Sequence, residues 1–391
     1  MKTRSIGFGG GERHTLSGVS PRPAHSPRLG DRAPTVTDPV VASASRVVGG
    51  PLGRYAVPSA RGWRTAGAWL VAASTIPMAL GVWQRGYCIE GGWRTPDQFF
   101  HLCFSDLPAT FASADLGAGV GAYLAGGAGA PTPAQPPLTA LLLTLTGGLI
   151  PFGSPDAQAR WFFGIWAVLA AVLVALLTWW TAGSVRRMPL RASHVALSPV
   201  VALTTLVAPD ILGVALAAAG LYAWSRSRPG WAGVLLGLAI AARSYPVLIV
   251  LAIVFVAIRA GRGRVALRTA LIALVTAAAL YAVVAVRNPT GAVAALVAWR
   301  DAGAGLGSPW VLPQVAGSPL PPVAVSVLAA TGWVVAVVTG SLLALGARRR
   351  PAIAEVGLVM VVIVLVTGAS FPVQASLWLV PLVALVGLPW R

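Results

Sequence analysis

Charge is what this sequence has least of. Only 10% of its 391 residues are charged, against about a quarter in an ordinary soluble domain, so the chain cannot dress a water-facing surface in the usual way. Lysine is almost missing, since of 29 basic residues Lys2 is the only lysine. Two cysteines cannot staple a chain of this length, which excludes a disulfide scaffold. There is no Asp-x-Asp pair, which argues against a transferase that holds a nucleotide sugar through a metal. No Cys/His cluster and no Ser/His/Asp spacing stands out either, and no metal site is read from the sequence. What is present in excess is apolar: 56% of residues, with 44 glycines, 31 prolines and 15 tryptophans. That content is too high for disorder along most of the length. A multi-span membrane protein is the class that remains.

The net charge of +18 suggests nucleic acid until its distribution is followed. Ten basic residues fall in the first 65 positions. Most of the others occupy short gaps between apolar runs: Arg186, Arg187 and Arg191; Arg226 and Arg228; Arg259, Arg262, Arg264 and Arg268; Arg348 to Arg350. Arginine in short inter-span loops marks a cytoplasmic side in contact with anionic lipid. A nucleic-acid reader would gather its cations on one face with stacking aromatics, so no nucleic-acid partner is expected.

Residues 1–62 are rich in Gly, Pro, Ser and Arg without apolar periodicity, and read as a disordered basic cytoplasmic tail. The rest, 63–391, reads as one polytopic membrane domain. A span needs about twenty apolar residues. Candidates are 66–83, 161–182, 265–286, 323–346, 353–369 and 371–388. The stretch 194–260 is divided at Pro209–Asp210, Arg226–Pro229 and Arg243–Pro246 into helices 194–208, 210–225, 230–243 and 245–260. An eleventh run, 138–152, is about 22 Å long as a helix. If it crossed, every arginine loop would lie outside. The expected fold is therefore an all-α bundle of about ten transmembrane helices plus one juxtamembrane or half-inserted helix, with both termini cytoplasmic. That topology leaves two sizeable outer loops, 84–160 and 288–322. It also puts seven of the eight acids beyond the tail outside, with Glu355 inside. Chemistry is expected on the outer face.

The first outer loop carries Tyr-Cys-Ile-Glu at 87–90 and "RTPDQFFHLCFSDLPATF" at 94–111. A carboxylate at that depth sits partly in low dielectric, which raises its pKa and its basicity toward a hydroxyl. Cys88 and Cys103 share this loop, where an oxidising environment favours a disulfide over two packed thiols. Further along come "QPPLTALLLTLTG" (135–147), "APDILGVALAAAGL" (208–221), "WAGVLLGLAIAARSYPVLI" (231–249), "RDAGAGLGSPW" (300–310) and "FPVQASLWLVPL" (371–382). In that order, over about 66–388, these segments resemble the GT-C superfamily of membrane glycosyltransferases, and more narrowly glycosyltransferase family 87. Its best-known members are actinobacterial mannosyltransferases that use polyprenyl-phosphate mannose.

The resemblance implies a GT-C-like bundle and a role for particular residues. Asp106 falls on the family's catalytic base; read alone it is rather the N-cap of a juxtamembrane helix with Pro108 in its first turn. Arg243 falls where a donor phosphate is held; read alone it is a cation at a helix C-terminus. Asp210 matches a substrate-side acid, or opens a helix as its cap. His101 reads as a supporting hydrogen-bond group. Asp301 and Trp310 are candidates for an acceptor groove. Gln374 and Trp378 match an outer-face pattern, or pack a helix end. The chain departs from the family in having Arg rather than Lys at 243, and "LVAPD" and "FPVQ" in place of the usual motifs.

The expected reaction is an inverting transfer of a sugar, mannose by resemblance, from a polyprenyl-phosphate carrier to an envelope glycolipid or polysaccharide. Membrane lipids are the other expected partners, and no cofactor is implied. A transporter or flippase of lipid-linked sugars, or a non-catalytic partner in envelope assembly, are the rival readings. A transporter should show inverted repeats and broken polar helices at mid-depth, and no repeat is visible.

Overall fold

The computed structural model describes residues 62–386, and every regular element among them is helical. The basic tail and the final residues, including the expected positions of both termini, lie outside the described residues. The helices used below are α1 (Trp63–Ala73), α2 (Thr75–Gln84), α3 (Asp106–Ser113), α4 (Pro137–Gly147), α5 (Pro155–Ser184), α6 (Ile211–Ser225), α7 (Pro229–Ala242), α8 (Pro246–Arg259), α9 (Gly263–Arg287), α10 (Pro289–Asp301), α11 (Pro322–Gly346), α12 (Ile353–Thr367) and α13 (Val380–Val386). Proline supplies many of the starts, standing at the first helical position of α4, α5, α7, α8, α10 and α11. There its missing N–H costs nothing and its fixed φ is already helical.

Among the described residues, four segments are long and apolar enough to cross a bilayer: Trp63–Gln84 (α1 and α2), α5, α9 and α11. Only 22% of the most apolar window of α9 is buried within the protein. Leu274 and Val275 on α9 and Val334 on α11 are left exposed. In water such faces would be a liability; against lipid they are ordinary. The other apolar helices run 10–17 residues, among them α4, α6, α7, α8 and α12. They are shorter than the twenty residues of a full perpendicular crossing. Among the described residues the structure is thus all-helical, with four candidate membrane spans and a set of shorter apolar helices.

Two of the expected helices are broken. After a 3₁₀ turn at Pro189–Ala192, the run 194–208 holds only a single turn at Ser193–Ala196 and a short helix Pro199–Thr204. Pro199 removes one reason for continuity, since it biases Ser198 out of helical backbone. The rest is tertiary. Leu203 O accepts from the guanidinium of Arg85 at 2.9 Å, Leu206 O from the Ser105 hydroxyl at 2.7 Å, and Val207 O from Asp106 N at 2.8 Å. These carbonyls serve the outer loop instead of a helix. The run 371–388 likewise begins as a 3₁₀ segment, Val373–Trp378, before α13.

The core joins α5, α6, α7, α8 and α12. Small residues let α7 and α9 approach closely: a Cβ at Gly237 would stand 2.5 Å from Ala273 O. Packing of this kind holds helices together in lipid, where burial of apolar area gives little drive. On the outer loop Cys88 and Cys103 are joined by a disulfide with both residues buried. Closing a loop with a sequence separation of 15 is worth about 3 kcal/mol in the chain-entropy account.

Candidate active site

The site grows from the stitching of the first outer loop onto residues 206–210. Ser105 is extended (φ −150°, ψ 131°), and its side chain caps α3 by accepting from Leu107 N. Its hydroxyl also donates to Leu206 O. Ser105 is therefore the cap, and Asp106 is the first residue of the helix, with a carboxylate that has no capping duty. The main chain of Asp106 is fixed by its bond to Val207 O, two residues before Pro209 and three before Asp210.

Asp210 also stands at a helix start, but its side chain makes no capping bond. It turns instead to Arg243, with which it forms an ion pair, and is only 3% exposed. Trp378 donates from Nε1 to Asp210 Oδ2 at 3.3 Å. The Tyr245 ring stacks on Trp378, with centroids 4.5 Å apart and planes at 12°. Arg243 has extended backbone at the end of α7 (φ −154°, ψ 150°), which takes its side chain away from the helix-end carbonyls. Its guanidinium is paired across to the start of α6 while its Nε is buried without a partner. The Tyr245 hydroxyl is also buried without one. Close by, Thr139 on α4 donates to Ala242 O at 2.8 Å, so the helix opened by Pro136–Pro137 abuts the segment that presents Arg243.

Asp106 is half-buried, and its carboxyl is held above the usual aspartate range. Desolvation is the main cause, the nearby Asp210 carboxylate adds to it, and the Arg243 guanidinium opposes it. That coupling places the three side chains in one electrostatic unit. The unit holds a half-buried carboxylate of raised basicity within electrostatic range of a guanidinium already paired with a buried acid. Such a set can take a proton from a hydroxyl and bind an oxyanion.

Gly213, one turn into α6, makes room for the cation. A Cβ there would stand 2.8 Å from Arg243 Cγ and 3.0 Å from its Cβ. Gly213→Ala gains helix propensity of up to about 1 kcal/mol but overpacks by about 1–3 kcal/mol. The expected result is a lower unfolding temperature of the Gly213→Ala variant, measured by thermal denaturation, together with a displaced Arg243 guanidinium.

The other candidates are engaged elsewhere. His101 is exposed and stacks on Tyr87 at 3.5 Å. Asp301 is exposed and paired with its neighbour Arg300 at 2.8 Å, which holds its carboxyl below the usual range. Trp310 donates from Nε1 to Thr367 O at 2.9 Å and packs with Val325, Ala329 and Ala369. Gln374 lies half-buried on the 3₁₀ segment that carries Trp378. No group of three or more His, Cys, Asp and Glu side chains suited to a metal occurs among the described residues. Sequence reasoning missed Ser105, Gly213 and Tyr245. The proximity of Gly213 to Asp210 and of Tyr245 to Arg243 in the chain was the only signal available.

No protein-family model, no curated protein and no solved structure matches this chain.

Proposed function

We propose that this protein is an inverting membrane glycosyltransferase that moves a sugar from a polyprenyl-phosphate carrier to an envelope glycolipid or polysaccharide. The observation that carries the reading is the unit of Asp106, Asp210 and Arg243. A half-buried carboxylate of raised basicity lies within electrostatic range of a cation, and both stand where an outer loop is stitched to short apolar helices. In the reaction Asp106 accepts the proton of an acceptor hydroxyl. The oxygen bonds to the anomeric carbon, the bond from that carbon to the phosphate oxygen breaks, and polyprenyl phosphate leaves with the electron pair. One carboxylate suffices, since a phosphate ester departs without protonation. The departing charge meets Arg243, whose planar fork suits phosphate oxygens. Asp210 acts here as the positioning group that holds the guanidinium. Mannose is the sugar favoured by the sequence resemblance.

The arrangement proposed with this reading is a GT-C-like bundle in which the shorter helices complete about ten crossings. The arginine loops face the cytoplasm, and the site faces outward. The ends of α5 support that division. Asp156 at its start pairs with Arg94 of the first outer loop, and Arg186 and Arg187 follow its end. Thirty residues of helix separate those ends by about 45 Å.

The test is a donor panel assayed with the full-length protein in lipid nanodiscs. Sugar transfer from labelled polyprenyl-phosphate mannose, with an inverted anomeric centre in the product, is the expected result. Transfer from a nucleotide sugar alone, retention of configuration, or no transfer from any carrier overturns the proposal.

A further inference from the structure

At the end of α6 away from Asp210 lies a cavity of about 380 Å³. Ser184 at the end of α5, Arg186, Arg187, Met188 and Arg191 in the following loop, and Ser225 at the end of α6 line it. Arg186 and Arg191 are half-buried and Arg187 is exposed. None of the three arginines forms an ion pair with a carboxylate among the described residues. Glu355, the acid on the same side, is taken by Arg349 and by Ala352 N. The two serine hydroxyls already donate within their own helices, to Trp180 O and Tyr222 O. The donors left to a ligand are therefore guanidinium groups.

The alternative is that the arginines merely neutralise helix ends. Two helix C-termini border the cavity, each equivalent to about half a negative charge. Three full positive charges outweigh that sum by about two. Among the described residues, Arg186, Arg187 and Arg191 make no guanidinium hydrogen bond to a helix-end carbonyl. A concave site of this size, net positive and rich in planar forks, suits a tetrahedral oxyanion. It lies at the depth where the chain leaves a membrane span, within reach of headgroups.

We propose that this cavity is a phosphate-binding site, filled by the headgroup of an anionic phospholipid or by a soluble phosphate compound. It is separate from the donor site and independent of the reading given above. The site fastens the exit of α5 and the turn after α6 to one anion.

The experiment uses the full-length protein in detergent, with phosphatidylglycerol and phosphatidylcholine of matched acyl chains titrated by native mass spectrometry. Phosphatidylglycerol is expected to bind more tightly. The double variant Arg186→Gln/Arg191→Gln is expected to weaken it by roughly 30-fold, at about 1 kcal/mol for each cation near an anionic headgroup. Arg348→Gln/Arg350→Gln, on another loop of the same side, should change it by less than about twofold. If the neutral variant does not fold, Arg186→Lys/Arg191→Lys keeps both charges but loses the fork, and should weaken binding about fivefold. Inorganic phosphate then separates the two sources. Displacement of the lipid at millimolar phosphate assigns the site to a soluble phosphate compound, and no displacement assigns it to the headgroup. Equal binding of the two lipids, equal loss in the two glutamine variants, or unchanged affinity in the lysine variant overturns the proposal.

Discussion

Asp106→Asn is expected to abolish sugar transfer while leaving the protein folded, with a fall in turnover of about 10²–10⁴-fold, the range supplied by a general base. The structure separates the two effects. Ser105 caps α3, and the bond from residue 106 to Val207 O belongs to the main chain, so neither depends on the carboxylate. Asparagine keeps the shape and loses only the proton acceptor. The pH dependence carries the same signature. Burial and Asp210 hold the Asp106 carboxyl above the ordinary aspartate range. The acid limb of the rate profile should therefore rise with pH above that range, and it should disappear in the variant. Stability has the opposite sign. The folded carboxyl binds its proton more tightly than the unfolded one, so as pH rises from the unfolded pKa through the raised folded value the folded state loses stability. Asparagine cannot ionise, so above that window the variant should unfold at a temperature equal to or higher than the parent. Transfer within about tenfold of the parent, measured with labelled polyprenyl-phosphate mannose, removes Asp106 from the role of base.

Local chemistry made much of the helical pattern readable. The breaks at Pro209–Asp210, Arg226–Pro229 and Arg243–Pro246 delimit α6, α7 and α8 to within two residues, because proline at a first helical position acts on its own segment. The run 194–208 was not readable in the same way. Nothing local in Leu203, Leu206 or Val207 shows that their carbonyls are taken by Arg85, Ser105 and Asp106, more than a hundred residues away in every case. Among the site residues, Asp106, Asp210 and Arg243 were visible as rare charges in an apolar sequence. That Asp210 is the counter-ion of Arg243 was not visible, since it depends on the Arg243 side chain crossing α6 closely at Gly213. His101, Asp301 and Trp310 carry the right chemistry for a site, but Tyr87, Arg300 and Thr367 O satisfy them locally. Residue type alone does not separate a group that awaits a substrate from one that already has a partner.

The ion pair between Asp210 and Arg243 should prove costly to halve and cheap to remove whole. Asp210 is 3% exposed, and the Arg243 side chain is 17% exposed. Asp210→Ala strands a guanidinium whose Nε already lacks a partner, and it leaves Trp378 Nε1 without its acceptor. Arg243→Met strands a buried carboxylate held by Trp378 alone among the neutral donors recorded for it. Each single change is expected to cost about 3–5 kcal/mol in unfolding, the usual penalty for an uncompensated buried charge. The pair Asp210→Ala/Arg243→Met carries no stranded charge and should recover most of that loss. The double-mutant cycle then reads a coupling energy of several kcal/mol. In the proposed reaction transfer should not recover with stability, because the double variant lacks the guanidinium assigned to the departing phosphate. Denaturant unfolding of the four proteins in nanodiscs, set beside their transfer rates, tests both halves. Single variants that lose less than about 1 kcal/mol would reduce the pair to the level of an exposed surface contact. A double variant that regains transfer along with stability would mean that the guanidinium serves only to neutralise Asp210, and that the charge developing on the leaving group is met by some other group.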